Sequence, residues 1–194
     1  MILLQRALDF TAQAVMGDNS IKDITLSDYF ANQYGLLIFY PFDFTFICPT
    51  ELLEFNNALS QFEKLNCKIL FISIDSVYSH LAWKQQSVDQ GGVQGIKIPM
   101  VSDVKRSIVE QYNIAHSDGS AFRATFLIDT NFIVRSMQVN DMPLGRNINE
   151  YLRLVNALQH HVKYGNVCPA NWNKGSLDLH PSKEGVIDYF KNKK

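Results

Sequence analysis

Hydrophobic residues recur along this chain with two periods, which predict strands that alternate with helices. Short apolar runs of strand type occupy Leu36–Tyr40 and Lys68–Ile74, and the second run is nearly continuous, as in a strand buried on both faces. Between these runs, apolar residues return every three or four positions and predict one amphipathic helix that ends near Asn66. The residues of that stripe are Leu52, Phe55, Leu59 and Phe62.

The same patterns predict further elements on either side. The remaining strands are predicted at Phe10–Met16, Pro99–Ser102, Phe122–Asp129 and Phe132–Val139, and the remaining helices at Val77–Ser87 and Ile148–Gly165. Either Asn147 or Asn149 is available to cap the last of these helices. Strands and helices in this order, followed by a hairpin and a helix, predict an α/β thioredoxin-like sandwich with a central mixed β-sheet flanked by helices.

The C-terminal part of the chain has a different character. Residues after Gly165 have little periodicity until Val186–Phe190, so we expect an arm there rather than a second domain. The predicted organisation is a domain of residues 1–165 and a C-terminal arm of residues 166–194. The sequence contains no internal repeat.

Composition narrows the possible functions. The chain has 194 residues, of which 46% are hydrophobic and 12% aromatic, enough for a sizeable core rather than a disordered chain. Its 18 basic and 19 acidic residues give a net charge of −1, so no general attraction to nucleic acid or to a membrane surface is expected. No apolar run approaches the length of a membrane span, and Gln5 and Arg6 end the apolar N-terminus far short of a signal-peptide core.

The cysteine pattern excludes two classes of small domain. Three cysteines with no C-x-x-C pair fit neither a secreted disulfide scaffold nor a zinc module. Cys67 begins an apolar run and is expected to pack beside a buried strand. The pair His160–His161 does not predict a metal site, because adjacent helical residues point about 100° apart and no third ligand stands nearby. We expect a solvated helix face there, and neither a metal nor a cofactor.

Cys48 stands where a helix is expected to begin. An apolar strand precedes it, and Pro49 suits the first helical turn because a proline lacks only a donor that would be unpaired there. Free backbone N–H groups and the positive end of the helix dipole favour an anion at this place, and a thiolate is such an anion. The alternative is a buried cysteine that packs as a small hydrophobic residue, which is the commoner role of free cysteines.

The motifs around two of the cysteines carry a family resemblance. Pro41, Thr45 and Cys48 fit the pattern P-x-x-x-T-x-x-C, which continues as CPTE, and the segment Val167–Trp172 reads VCPANW. The chain therefore resembles the typical two-cysteine peroxiredoxins, also known as the alkyl hydroperoxide reductase C or thioredoxin peroxidase family. The resemblance covers nearly the whole chain, because three further runs fit in the expected order: Asp75–Trp83, Val101–Ile108 and Met142–Asn147.

This resemblance implies a thiol-dependent peroxidase that serves antioxidant defence and redox homeostasis. Cys48 would reduce hydrogen peroxide or an organic hydroperoxide and become a sulfenic acid. Cys168 of a partner chain would resolve it as an intersubunit disulfide, which thioredoxin or a similar dithiol would reduce. The resemblance also implies a head-to-tail homodimer, with Phe132–Val139 as the candidate for edge-to-edge pairing, and further assembly of dimers into a decamer.

Ionisation of a cysteine is not sufficient for fast peroxide reduction. A thiolate loses nucleophilicity as the thiol pKa falls, so the net gain from ionisation is only about two- to threefold. The site must also stabilise the departing oxygen. Thr45 can accept a proton from the peroxide and donate to an oxygen, and the resemblance makes Arg123 the active-site arginine. Glu51 is expected to hold Arg123, Arg146 to complete the pair, and Pro41 with Pro49 to shield the sulfur from water.

Two other functions compete with this interpretation. A thioredoxin-like disulfide exchanger would need two nearby thiols, and the chain has no C-x-x-C pair. A non-enzymatic holdase or peroxide-signalling scaffold is compatible with the ring assemblies of relatives and can coexist with peroxidase activity. For localisation we expect the cytoplasm, with an organelle matrix as the alternative if a targeting segment precedes residue 1.

The chain departs from the family pattern at two loops. Peroxide-sensitive relatives combine a G-G-x-G loop with a C-terminal Tyr-Phe pair. Tyr189–Phe190 is present, but the loop reads GGVQG, with Gln94 in the place of the last glycine. If that position needs a positive φ, Gln94 is strained by about 1 kcal/mol, which predicts a looser tail and intermediate sensitivity to overoxidation. Relatives also often have glycine where this chain has Phe132, so Asn131 is expected to take any positive φ in that turn.

Overall fold

A mixed sheet of seven strands organises the chain up to Arg146 in the computed structural model, which describes residues 2–193. The strands lie side by side in the order β2-β1-β5-β4-β3-β6-β7. The pairs β3–β4 and β4–β5 are parallel, and the other four pairs are antiparallel. The predicted mixed sheet is confirmed. The strands are β1 (Thr11–Val15), β2 (Ile21–Thr25), β3 (Tyr34–Phe39), β4 (Cys67–Ser73), β5 (Met100–Ser102), β6 (Arg123–Ile128) and β7 (Val134–Asn140).

Helices occur between the strands and after the sheet. Those within the sheet-forming part are α1 (Leu26–Tyr29), α2 (Cys48–Asn57), α3 (Leu59–Lys64), α4 (Val77–Gln85) and α5 (Ser107–Gln111), with a 3₁₀ turn at Val88–Gln90. The helices α6 (Ile148–Tyr164) and α7 (Lys183–Asn192) follow it. Asn147 caps α6, because its side chain accepts a hydrogen bond from the Asn149 N–H. None of the helices in residues 2–193 is both long and apolar enough to cross a membrane.

The central strands bury nearly every side chain. All six residues of β3 and all six of β6 are buried, including the polar residues Arg123 and Thr125 of β6. Phe39 of β3 packs against Phe126 of β6 with ring centroids 5.8 Å apart. Because β3 and β6 are antiparallel, with Ile38 opposite Thr125, the end of β3 lies beside the start of β6. This arrangement brings the loop that follows β3 close to Arg123.

The predicted single helix before β4 is two helices. The prediction of one helix from Pro49 to Asn66 was wrong, since α2 ends at Asn57 and α3 begins at Leu59. Two consecutive asparagines precede the break, and asparagine favours helix ends because its side chain competes for backbone hydrogen bonds. The side chain of Asn56 accepts from the Lys97 N–H, 2.8 Å away in another segment.

The turn between β6 and β7 places its positive φ on a different residue from the predicted one. Phe132, not Asn131, has a φ of 64°. The Asp129 carboxylate fixes the turn by accepting from the N–H groups of Asn131 and Ile133. The Phe132 ring is buried, with the Arg6 guanidinium 5.1 Å from its centroid. Burial of an aromatic ring, worth about 1.5–3 kcal/mol, outweighs the ~1–2 kcal/mol cost of the left-handed backbone.

The loop after α4 does not strain Gln94, so it gives no reason to expect a loosened C-terminal tail. Its positive φ values belong to Gly91 at 80° and Gly95 at 91°, and Gln94 is not among the positive-φ residues of the described chain. The prediction that Gln94 is strained was therefore wrong. Gln94 instead holds the loop to the end of α4, because its N–H donates to the Gln86 carbonyl at 3.2 Å.

Two compact units divide the chain, Met1–Arg146 and Asn147–Lys194. The second unit contains α6, α7 and the segment that joins them. Functional domains need not follow compactness, so the predicted division into residues 1–165 and 166–194 stays a prediction.

Candidate active site

Cys48 is the first residue of α2 and is fully buried. Pro49 follows it in the first turn, and the cap residue Ile47 makes no side-chain hydrogen bond to the helix end. The free N–H groups of that first turn are therefore not satisfied by a side-chain cap. The strand, the loop and the helix start occur in the predicted order around Cys48.

Arg123 contacts the sulfur of Cys48. Its Nη1 lies 3.4 Å from Cys48 Sγ and 2.9 Å from Glu51 Oε2. Its Nε donates to the backbone carbonyl of Met142 at 2.7 Å. The guanidinium is therefore fixed at two of its nitrogens, and one of them faces both the sulfur and the carboxylate.

Arg146 binds the same carboxylate from another direction. Its Nη2 donates to Glu51 Oε2 at 2.7 Å, while its Nε and its backbone N–H each donate to Oε1 at 2.9 Å. Its Nη1 donates to the carbonyls of Phe39 and Ala124 and to the Thr125 hydroxyl. The sequence therefore predicted correctly that Glu51, Arg123 and Arg146 meet.

Charge at this site is unbalanced when the sulfur is neutral. Burial alone would raise the pKa of Glu51, but the charge and hydrogen bonds of Arg146, together with the charge of Arg123, hold it below the ordinary value of 4.5. The carboxylate is therefore ionised at neutral pH. Two guanidinium charges then face one carboxylate charge in a buried setting, so an anionic sulfur at Cys48 would neutralise the cluster.

Thr45 and Pro41 lie in the loop between β3 and α2. Thr45 is half-buried, and its hydroxyl donates to the Phe42 carbonyl at 2.9 Å. Within the described part of the chain, no hydrogen bond joins Thr45 to Cys48. Because the hydroxyl proton is engaged, the oxygen of Thr45 presents its lone pairs as acceptors. Pro41 is buried.

A polar network that was not predicted from the sequence anchors the same loop. The Asp43 carboxylate accepts from the hydroxyls of Tyr40 and Ser79, at 2.7 and 2.8 Å, and lies 2.8 Å from His80 Nδ1. The Asp43 N–H donates to the Asp75 carboxylate at 2.9 Å. The loop that carries Thr45 is thereby fixed to β3, to α4 and to the segment after β4. The polar residues within Asp75–Trp83 could have indicated this network from the sequence.

A backbone carbonyl beside His80 shows where one hydrogen of this network lies. His80 Nε2 is 3.1 Å from the Val101 carbonyl, which can only accept, so Nε2 carries a hydrogen. His80 Nδ1 lies 2.8 Å from Asp43 Oδ2. Burial and the charge of Asp43 raise the pKa of Asp75 above its ordinary value. Asp43 and His80 are buried at the centre of the network, and Asp75 and Ser79 are half-buried at its margin.

The other two cysteines have different surroundings. Cys67 begins β4 and is buried, and burial raises the pKa of its thiol to about 12, so it is an inert packing residue as expected. Cys168 belongs to the second unit and is half-buried, with its thiol 3.5 Å from the Ala157 carbonyl of α6.

A solvated helix face was predicted for His160 and His161, and His161 is exposed, whereas His160 is only partly exposed and contacts other side chains. Its Nε2 is 2.6 Å from Asp178 Oδ2, and its ring lies 4.9 Å from that of Trp172 between centroids. Among residues 2–193, no group of three or more His, Cys, Asp or Glu side chains could hold a metal ion. Trp172 and Trp83 are both buried packing residues.

Comparisons with known proteins agree with this geometry. The model of the AhpC/TSA family matches residues 3–137, and that of the C-terminal domain of 1-Cys peroxiredoxin matches residues 157–192. Alkyl hydroperoxide reductase C of Buchnera aphidicola subsp. Acyrthosiphon pisum is 48% identical over 192 residues, 98% of this chain and 98% of that relative. The chain belongs to the peroxiredoxin family. It is therefore a thiol-dependent peroxidase.

Other members of the peroxiredoxin family match over nearly their whole length. Peroxiredoxin-1 of Gallus gallus is 46% identical over 97% of this chain and 94% of that relative. The crystal structure of reduced 2-Cys peroxiredoxin from Plasmodium vivax superposes with a TM-score of 0.96 at 44% identity, and covers 99% of this chain and 100% of that one. The thioredoxin-like fold of the peroxiredoxins is thereby confirmed for this chain.

The ion cluster predicts a pH-dependent contribution of Glu51 to stability. Glu51→Gln leaves two buried guanidinium groups without their counter-charge, which should cost about 3–5 kcal/mol of unfolding free energy at pH 7. Because the pKa of Glu51 is lowered on folding, its contribution is complete above the ordinary value of 4.5 and is lost as the pH falls through the folded-state value. The difference between wild type and variant, measured by urea unfolding, should therefore shrink below pH 4.5.

Glu54→Gln is the matched control for this measurement. Glu54 belongs to the same helix but is exposed, so its substitution should change the unfolding free energy by less than about 0.5 kcal/mol. A Glu51→Gln difference that stays constant as the pH falls would show that the carboxylate charge is not its source.

Proposed function

We propose that Cys48 is the peroxidatic nucleophile and that it reduces hydrogen peroxide and organic hydroperoxides. The observation that carries this proposal is the 3.4 Å contact between Cys48 Sγ and Arg123 Nη1 in a buried cluster with an uncompensated positive charge. The thiolate attacks one oxygen of the peroxide, the S–O bond forms and the O–O bond breaks. The products are the Cys48 sulfenic acid and an alkoxide or hydroxide, which takes up a proton as ROH or water.

Arg123 stabilises both the thiolate and the transition state. Its fork of donors can face the sulfur and the lengthening O–O bond together, and it remains charged throughout. Glu51 and Arg146 are positioning residues, because Glu51 binds both guanidinium groups and Arg146 anchors Glu51 to β3 and β6. The fixed donors therefore need little reorganisation when charge develops on the departing oxygen.

Thr45 binds the peroxide as a hydrogen-bond acceptor. Its hydroxyl already donates to the Phe42 carbonyl, so its oxygen is left as an acceptor for the O–H of the peroxide. Pro41 is buried and Pro49 half-buried on either side of the loop, and together they keep water from the sulfur. These roles complete the set of catalytic and positioning residues.

Cys168 of a partner chain resolves the sulfenic acid. Its thiol attacks the sulfur of Cys48–SOH, the S–S bond forms, and the S–O bond breaks with release of water. Thioredoxin or a similar dithiol reduces the resulting disulfide. Two observations support a partner chain: Cys168 belongs to a different compact unit from Cys48, and β7 is an edge strand of the sheet.

The edge of β7 favours pairing of two sheets. The N-terminal segment covers only the start of this strand: the Leu4 N–H donates to the Val134 carbonyl, and the Val134 N–H donates to the Gln5 carbonyl. The rest of the edge, residues 135–140, has no strand beside it among the described residues. Antiparallel pairing of two copies along this edge would give the homodimer with twofold symmetry.

Exposed aromatic side chains support assembly of dimers into a decamer. Phe46 of the active-site loop is 94% exposed, and Tyr78 of α4 is 75% exposed. Large exposed aromatic residues of this kind are typical of protein–protein contacts. We place the enzyme in the cytoplasm, where thiols are kept reduced.

Loss of the Cys48 sulfur tests the proposed function directly. Cys48→Ser should abolish turnover of hydrogen peroxide, because the serine hydroxyl is not a nucleophile under these conditions. Cys67→Ser should leave turnover nearly intact, since the Cys67 thiol is buried and inert. Stopped-flow measurement of peroxide consumption compares the two variants with wild type. Retained activity in Cys48→Ser would refute the assignment.

Arg123→Lys tests the need for a guanidinium rather than a charge. A single ammonium cannot reproduce the contacts of Nη1 and Nε together, so the second-order rate constant should fall by one to two orders of magnitude, roughly 1.4–2.8 kcal/mol. Arg135→Lys is the control, because Arg135 pairs with Asp129 away from Cys48. An unchanged rate constant in Arg123→Lys would contradict the role.

The intersubunit disulfide is tested by electrophoresis. After one equivalent of peroxide, the wild type should migrate as a covalent dimer without reductant, and Cys168→Ser should remain monomeric. Cys67→Ser should form the dimer as the wild type does. An oxidised wild type that runs only as a monomer would argue against resolution by a partner chain.

A further inference from the structure

Cys168 is held in a small folded segment of the second unit. Val167 and Leu179 form an isolated antiparallel bridge, with N–H to carbonyl distances of 2.8 and 3.1 Å. Residues beside an antiparallel bridge pair in reverse order, so Cys168 lies across from Asp178. The Cys168 thiol donates to the Ala157 carbonyl of α6 at 3.5 Å. The sulfur is therefore docked on α6 and faces a carboxylate.

The carboxylate opposite Cys168 is itself fixed. Asp178 Oδ2 accepts from His160 Nε2 at 2.6 Å and from Asn166 Nδ2 at 3.0 Å. The His160 ring is in turn held between the rings of Tyr164 and Trp172, with centroid distances of 4.8 and 4.9 Å. These contacts tie the segment that carries Cys168 to the last turns of α6.

The charge of Asp178 also affects the pKa of the Cys168 thiol. Burial and then the charge of Asp178 raise the pKa of the Cys168 thiol, while the charge of Arg153 opposes them. Hydrogen bonds from Asn166 and His160 lower the pKa of Asp178, so the carboxylate is ionised whenever the thiol is docked. Docking on α6 opposite Asp178 therefore disfavours the thiolate form of Cys168.

We propose that Asp178, fixed by His160, is a positioning residue that restrains Cys168 and so limits the rate at which the resolving disulfide forms. The proposal rests on the resolving role given to Cys168 above. To reach the sulfenic acid of Cys48, the segment must leave α6, and departure requires breaking the hydrogen bond between His160 and Asp178. Departure also removes the sulfur from the carboxylate opposite it, which frees the thiol to ionise.

Restraint of Cys168 decides between two reactions of the sulfenic acid. Attack by the Cys168 thiol forms the S–S bond and releases water. Attack on a second peroxide instead forms another S–O bond and breaks the O–O bond, which gives the sulfinic acid and ROH. The second reaction needs only the peroxide that the enzyme already uses. A stronger restraint therefore diverts more of the sulfenic acid to the sulfinic acid.

Two substitutions separate the charge of Asp178 from its hydrogen bond. Asp178→Asn removes the charge, whereas His160→Phe keeps an aromatic ring between Tyr164 and Trp172 but removes the donor. After one equivalent of peroxide, both should speed the first-order formation of the disulfide by about two- to fivefold, the range expected for a partly exposed ion pair. At excess peroxide both should lower the sulfinic fraction of Cys48, measured by mass spectrometry. Asp188→Asn, an exposed carboxylate of α7, is the control.

Alkylation of Cys168 tests separately whether the charge of Asp178 acts on the thiol. In a Cys48→Ser, Cys67→Ser background, the pH midpoint for alkylation of Cys168 by iodoacetamide should fall further in Asp178→Asn than in His160→Phe, because only the first substitution removes the carboxylate charge. A merely structural role of Asp178 would lower the midpoint equally in the two variants.

The outcomes distinguish this proposal from the one it rests on. If the wild type forms no disulfide between Cys48 and Cys168, the resolving role fails and the restraint fails with it. If that disulfide forms but Asp178→Asn leaves its rate unchanged, or slows it, the restraint alone is overturned. An unmoved alkylation midpoint in Asp178→Asn likewise overturns the electrostatic part.

Discussion

The ion cluster around Glu51 is the interaction on which the active site depends. Cys48 and Glu51 are three residues apart at the start of α2, so both side chains project from the same side of the helix. Arg123 can then contact the sulfur and the carboxylate with a single nitrogen. Arg146 saturates the other side of that carboxylate. Without Glu51, two guanidinium groups would repel each other at the place where one of them must face the sulfur.

The sheet determines where these charges can meet. Arg123 begins β6, and the loop that leads to Cys48 leaves the end of β3, which is the antiparallel neighbour of β6. The Nη1 of Arg146 bonds to backbone carbonyls of both strands, at Phe39 and Ala124. The position of the positive charges therefore follows from the register of two buried strands, and a shift by one residue would turn Arg123 to the other face.

The features that could be predicted from the sequence are those that depend on periodicity and on local chemistry. The strands β3 and β4 are nearly all apolar, and Pro49 after Cys48 marks a helix start, so these features could be recognised without the fold. The errors have one physical cause, namely contacts with distant segments. The break before Leu59 follows an asparagine bonded to Lys97, and Phe132 takes a positive φ in a turn that Arg6 covers.

The polar networks were hidden for a related reason. Asp43 has the character of a loop residue in the sequence, and only the fold brings His80 and Asp75 to it. His160 likewise belongs to a helix whose pattern suggests a solvated face, but the segment after α6 returns with Asp178. Polar residues show no period when their partners lie far along the chain, so such clusters cannot be predicted from spacing.

The surroundings of the three cysteines give one chain three kinds of thiol. Cys48 faces the guanidinium of Arg123, Cys168 faces the carboxylate of Asp178, and Cys67 is enclosed by apolar strands. A neighbouring cation favours the anionic sulfur, and a neighbouring anion disfavours it. A cysteine that must wait until its partner is oxidised is better held protonated, because an ionised second thiol would itself be open to oxidation. The opposite charges beside Cys48 and Cys168 therefore suit the proposed mechanism, in which Cys48 reacts first and Cys168 second.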